Sequence, residues 1–237
     1  MIFSLDLLAD DPLAFFILFG AIGTALLVGI SFHEFSHAAA ADALGDHLPR
    51  RMGRLTLNPL AHLDPGGTVL MFLVGFGWGK PVPVNPNATA NPKAALAITA
   101  SAGPISNFLI AAVAGLPIRL GAVDWFSPFY VYNTAQWGAG EYVGYYLSTL
   151  VLVSLILGVF NLIPIAPLDG FKVAVGILPR DLSRSFARLE QYGPLILIAL
   201  IVLPLVTGGH VGILFEIMQP VIEFFARLFA GVSGNVY

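Results

Sequence analysis

His33, Glu34 and His37 stand in the run His-Glu-Phe-Ser-His, two imidazoles four residues apart with a carboxylate beside the first. On a helix these positions share one face, so both rings can reach one Zn2+ while the Glu sits beside it to move protons. His33 and His37 are therefore candidate ligands and Glu34 a candidate general base. A five-letter pattern with two free positions also arises by chance, so the setting must carry weight. No residue from 12 to 32 is charged, and about 20 apolar residues suffice to cross a bilayer core. An ionised side chain at mid-bilayer costs on the order of 3 kcal/mol on insertion scales, and such residues are generally functional.

Catalytic zinc takes three protein ligands and keeps one position open. The chain has no cysteine, so the third must be His, Asp or Glu. Ala43 stands where a metzincin would place its third His, and no Glu lies between Glu34 and Glu141 to serve as in a gluzincin. The remaining candidates are Asp42, His47, His62, Asp64, Asp169 and His210. Asp42, His47, His62 and Asp64 lie in polar or loop-like surroundings where a solvated side chain is the default. His210 follows two glycines at an expected outer turn. Asp169 differs, because Pro164 and Pro167 break an apolar run just before it and Gly170 follows it.

The elements that must position these groups follow from the apolar runs. Asp11 as N-cap, Pro12 in the first turn and Gly45 as stop predict one helix over 12–44, roughly 50 Å long. Residues 48–86, with Arg50, Arg51, Arg54, the alternation Leu55-Thr56-Leu57 and repeated glycines, read as short strands or a re-entrant hairpin, with Pro81 and Pro83 restricting 81–84 to an edge. Residues 94–118 and 142–163 are further spans, and 194–206 and 211–230 a fourth and fifth, the fourth short enough to be half of a re-entrant pair. In the fifth, Glu223 can pair with Arg227 four residues on.

The chain is 57% apolar and 11% charged, far below the roughly 25% charged share of soluble domains. The expected fold is an all-α polytopic membrane protein of five or six spans, with a three-helix core and a small membrane-associated β hairpin or sheet. Net charge is −3 with thinly spread basic residues, which sets nucleic acid aside as a partner. Asp10 and Asp11 are the wrong charge for a cleaved signal peptide, so the first run should be retained. Arg50, Arg51, Arg54, Lys80 and Lys93 before the second span, and Lys172, Arg180, Arg184 and Arg188 after the third, place both loops in the cytoplasm by the positive-inside rule. Five spans then put the N-terminus outside and the C-terminus inside, and bring Asp169 to the same membrane face as His33 and His37.

These residues together resemble the site-2 protease family of intramembrane zinc metalloproteases, which combine His-Glu-x-x-His on one span with a distant Leu-Asp-Gly on another. Leu168-Asp169-Gly170 supplies the second motif, preceded by Asn161-Leu162-Ile163-Pro164, and Gly103-Pro104-Ile105-Ser106-Asn107 is similar to the family's Gly-Pro-x-x-Asn segment. Phe171 stands where many relatives carry a second Gly. The resemblance covers about residues 15–173 and implies Asp169 as third ligand of one Zn2+, with Asn107 near the active site holding the substrate backbone. From its residues alone Asn107 is an interhelical hydrogen-bonding group. The resemblance also implies that residues 54–84 correspond to the sheet that receives substrate as an added strand.

The expectation is a single membrane-embedded protease domain over 1–237, with its core at about 12–173 and accessory helices at about 190–230. It cuts transmembrane protein substrates within the lipid bilayer of the cell membrane, under control of a regulatory membrane partner, prior trimming or lipid. The competing reading is a multi-span transporter of metal ions or solutes using the same His and Asp residues. Transporters often carry paired halves with matching helix breaks, and no such repeat is visible.

Overall fold

The computed structural model describes residues 5–67, 79–128, 130, 133–208, 212–232 and 236. Among the described residues the chain is helical, as expected for an all-α membrane protein, and its only β pairing is one isolated bridge.

Helix α1 (Pro12–Ala43) begins where Asp11 accepts the Ala14 N–H at 3.0 Å, with Pro12 in the first turn. It stops one residue short of expectation, and Gly45, at φ +102°, turns the chain away in a conformation L side chains rarely adopt. Its 32 residues give about 48 Å, so the His-Glu-Phe-Ser-His turns fall toward its far end.

Helix α2 (Pro92–Arg119) is capped by Asn91, which accepts the Ala94 N–H at 3.2 Å. It lies antiparallel to α1, since Thr99 meets His37 and Asn107 meets His33. Helix α3 (Ala139–Asn161) is parallel to α1: Tyr142 bonds Asp11 at 3.0 Å and Tyr146 bonds Thr24 at 2.9 Å, with Leu157 against Gly29 further along. Buried Ala111 and Ala114 of α2 let α3 approach through Val151, Leu152 and Leu155, the small-residue packing that serves helices lacking a hydrophobic drive to associate. Outward, Phe16, Leu109, Val113 and Leu195 are each more than 60% exposed, which water would penalise and hydrocarbon would not.

After α3 the chain turns through Pro164 and Pro167, the latter after a cis peptide bond, into α4 (Asp169–Ile177). A Cβ on Gly170 would strike the backbone of Leu162 and Ile163, so only glycine lets α4 fold back against the end of α3 and aim Asp169 inward. Phe171 is buried and stacks on Phe186 at 5.0 Å, which gives the departure from a second Gly its own packing role. Helices α5 (Arg180–Ala187), α6 (Gly193–Val206) and α7 (Ile213–Ala230) follow.

By length and composition four stretches could cross a membrane: Pro12–Ala43, Pro92–Arg119, Ala139–Asn161 and Arg180–Pro204, the last joining α5 to most of α6. Packing places α7 differently from the expected fifth crossing. Phe225 stacks near Phe108 at 4.5 Å, Phe229 lies against Gly115, and Arg119 donates to the Leu228 carbonyl, so α7 runs parallel to α2. Its end therefore lies at the same end of the bundle as the start of α1, where five full crossings were expected to put the two at opposite ends. The reason is length. The 14 residues of α6 span about 21 Å, short of a roughly 30 Å hydrocarbon core, and Gly193 packs on Ala166 at the α4 end. A six-residue connection reaches at most about 25 Å, so α6 and α7 cannot both cross in full.

The expected hairpin over 48–86 is only partly legible. Residues 55 and 56 form bends and 57 is irregular rather than part of a strand, because Asn58 caps a short helix, Pro59–His62, by accepting the Leu60 N–H at 3.1 Å. Leu63 and Gly79 form the antiparallel bridge, and the Lys80 N–H donates to the His62 carbonyl at 2.6 Å. Residues 68–78, the body of the expected hairpin, lie outside the described residues.

Candidate metal centre

Three side chains from two distant parts of the chain converge between α1 and α4. Nε2 of His33 lies 2.9 Å from Oδ2 of Asp169, Nε2 of His37 lies 3.0 Å from the same oxygen, and the two Nε2 atoms are 3.0 Å apart. The four-residue spacing on α1 aligns the imidazoles, and Gly170 brings the carboxylate across a separation of 132 residues. All three residues are buried.

Three lone-pair atoms at mutual separations near 3 Å repel unless a cation or proton lies among them. Their spacing is close to the roughly 3.3 Å edge of a tetrahedron with metal–ligand bonds of about 2.0 Å. The helix opposite leaves room for an ion. A Cβ built on Gly103 of α2 would fall 2.6 Å from Nε2 of His33 and 2.5 Å from Nε2 of His37. The space in front of both nitrogens is thus kept free by the one residue type that can pass there. Two imidazoles and a carboxylate form the donor set of a catalytic zinc with an open fourth position, and the group fits one Zn2+.

Each imidazole is also held from behind. Nδ1 of His37 lies 2.6 Å from the Thr99 carbonyl, which can only accept, so the proton of a neutral ring sits on Nδ1 and Nε2 presents its lone pair. Nδ1 of His33 lies 3.2 Å from the carboxamide of Asn107, which is 1% exposed. Glu34, one residue past His33, is half-buried, and its Oε2 accepts the Val82 N–H at 3.2 Å. Val82 belongs to a stretch without regular secondary structure, pinned on one side by the Lys80–His62 bond and on the other by the Asn85 N–H, which donates to buried Asp46 at 2.5 Å. A cavity of about 990 Å3 opens in front of these groups, walled by Val82 and Val84 on one side and by Leu197, Ile201, Phe215 and Met218 of α6 and α7 on the other.

The other sequence candidates do not join the group. Asp42 bonds Arg50 at 2.6 Å and His47 at 2.9 Å near the outer surface. His62 is buried, with Nε2 on the Thr56 carbonyl at 2.7 Å, and Asp64 accepts the Gly67 N–H at 2.9 Å. His210 lies outside the described residues. Sequence reasoning passed over Thr99, Val82 and the steric role of Gly103. The signal for α2 was available: 99, 103 and 107 recur every four residues and face 33 and 37. A backbone donor such as Val82 leaves no trace in residue type.

Residues 120–204 match the sequence profile of Peptidase family M50. Over 186 residues the chain is 33% identical to "Putative zinc metalloprotease YwhC" of Bacillus subtilis, covering 78% of this chain and 81% of that protein. It is 30% identical over 200 residues to "Putative zinc metalloprotease Rip2" of Mycolicibacterium smegmatis, covering 81% and 71%. The Rip2 protein of Mycobacterium tuberculosis is 28% identical over 209 residues, covering 86% and 75%. These names lend the transporter reading no support. No solved structure matches the chain.

Proposed function

Because the chain belongs to the M50 peptidase family, the site-2 proteases, and is thus an intramembrane zinc metalloprotease, we propose that His33, His37 and Asp169 are its zinc ligands and Glu34 its general base. The observation that carries this is the meeting of the Asp169 carboxylate with both imidazoles at 2.9 and 3.0 Å. A zinc ion there supplies Lewis-acid activation of water and polarisation of the scissile carbonyl.

The residues of the chain do the rest. Glu34 takes a proton from the attacking water and returns it to the departing amine nitrogen as the peptide bond breaks, leaving one carboxylate and one amine terminus. The Val82 N–H holds the Glu34 carboxylate in place. A substrate helix must unwind to expose its carbonyl, and unpaired backbone groups in lipid cost several kcal/mol each. Strand pairing offsets that cost. Val82 and Val84 both border the cavity, which supports this stretch as the edge that receives substrate.

Arg50, Arg51, Arg54, Lys80, Lys93, Lys172, Arg180, Arg184 and Arg188 all belong to segments at the Asp169 end of the bundle, against Arg119 and Arg227 at the other. This supports a cytoplasmic active site in the cell membrane. Residues 1–237 act as one embedded domain, with α6 and α7 closing the cavity, and its substrates are transmembrane proteins.

The test is cleavage of a single-span model substrate by purified protein with zinc, beside the Glu34→Gln variant and a chelator control. Wild type should cut, while the variant should bind zinc and lose at least about a hundredfold in rate, the usual scale of acid–base catalysis. Full activity in Glu34→Gln contradicts the assignment.

A further inference from the structure

We infer that Asn107 is a positioning residue for the metal centre: its carboxamide oxygen accepts the Nδ1–H of His33 and so keeps the Nε2 lone pair of that ring directed at the ion. This rests on the zinc-ligand reading above and assigns Asn107 a role other than contact with substrate.

The two imidazoles meet the same face of α2, His37 through the Thr99 carbonyl and His33 through the Asn107 amide, with Gly103 between them. A neutral imidazole carries one proton. Coordination through Nε2 leaves that proton on Nδ1, where it needs an acceptor. Thr99 supplies one to His37 whatever the side chain at 99. Among the described residues His33 Nδ1 meets Asn107, and the sole acceptor on that side chain is Oδ1.

The buried amide has Nδ2 facing Nδ1 of His33, at 3.2 Å, and its Oδ1 is buried with no partner among the described residues. In that orientation Nδ1 would have to accept, which moves the ring proton to Nε2, only 2.9 Å from Asp169 and 3.0 Å from His37. A proton there occupies the direction a metal needs. Nitrogen and oxygen of a carboxamide exchange places by a half-turn that leaves its shape unchanged. Turned over, the acceptor faces the Nδ1–H and the lone pair of Nε2 is free. Although Asn107 also borders the cavity, it is 1% exposed and its amide lies against the His33 ring.

The test measures zinc affinity of the full-length protein in detergent by competition with a chromophoric chelator, for wild type, Asn107→Asp and Asn107→Leu. Asp retains an acceptor, whereas Leu keeps similar bulk without one. Loss of a partner behind a ligating His typically costs 10–100-fold in metal affinity, so Asn107→Leu should weaken zinc by about that factor and Asn107→Asp should restore it. Histidine 15N spectra of zinc-loaded wild type give a readout needing no variant: His33 should be protonated at Nδ1 and coordinated through Nε2. Zinc affinity unchanged in Asn107→Leu with a raised KM, Asn107→Asp as weak as Asn107→Leu, or His33 protonated at Nε2 would each overturn the inference. Wild type that binds no zinc would instead overturn the reading beneath it.

Discussion

Gly103 faces the Nε2 atom of His33 so closely that a single methyl group in place of its hydrogen would stand 2.6 Å from that nitrogen. The metal centre is thus shaped by what α2 omits as much as by what α1 and α4 supply. Gly103→Ala should be helix-favouring by about 1 kcal/mol on propensity alone. We expect the variant to keep its thermal stability yet lose zinc affinity by at least about tenfold, since a rotated imidazole loses its fixed geometry. Chelator competition and a melting curve on the same sample separate the two effects.

Asp169 contributes charge as well as position. Asp169→Asn keeps the shape and removes the anion that balances the cation, so zinc binding should fall by at least about a hundredfold, and cleavage with it. Equilibrium dialysis against buffered zinc measures this.

Val82 lies between Pro81 and Pro83, which have no N–H, and its own N–H goes to Glu34. Val82→Pro removes that donor, and Val82→Ala retains it. Hydrogen bonds to charged groups contribute roughly 1.5–3 kcal/mol, so Val82→Pro should lower kcat about tenfold or more with zinc content unchanged, and Val82→Ala should act like wild type. Steady-state kinetics on the model substrate tests the pair.

At the opposite end, Asp11 caps α1 and accepts the Tyr142 hydroxyl. Burial pushes its carboxyl up, but hydrogen bonds from Thr134, the Ala14 N–H and Tyr142 outweigh this and hold it below the usual carboxylate range. The stabilisation is therefore present above the unfolded pKa of 3.8 and lost as pH falls through the lower folded value. Asp11→Ala should cost about 1 kcal/mol at neutral pH, as lost N-caps do, and the difference from wild type should shrink in acid melts.

Much of this architecture was legible in residue types. Asp11, Pro12 and Gly45 marked the ends of α1 to within one residue, because caps and stops act locally. His33 and His37 were legible from motif spacing, and two prolines set Asp169 apart from the other candidates, but its place as third ligand came from the family resemblance. The direction of α7 was not legible, since counting apolar runs treats α6 as a crossing, while packing of Phe225 and Phe229 along α2 decides it. Nor could the strand alternation at 55–57 be weighed against the cap at Asn58, where a short helix prevails. The support behind His37 was hidden for a simpler reason: Thr99 acts through its carbonyl, which every residue has.

The most direct measurement is the zinc-to-protein ratio of purified wild type, Glu34→Gln and Asp169→Ala, determined by elemental analysis after exhaustive dialysis. Wild type and Glu34→Gln should each retain about one zinc per chain, as a three-ligand catalytic site does, and Asp169→Ala close to none. A full zinc complement in Asp169→Ala would contradict a metal held jointly by α1 and the turn into α4.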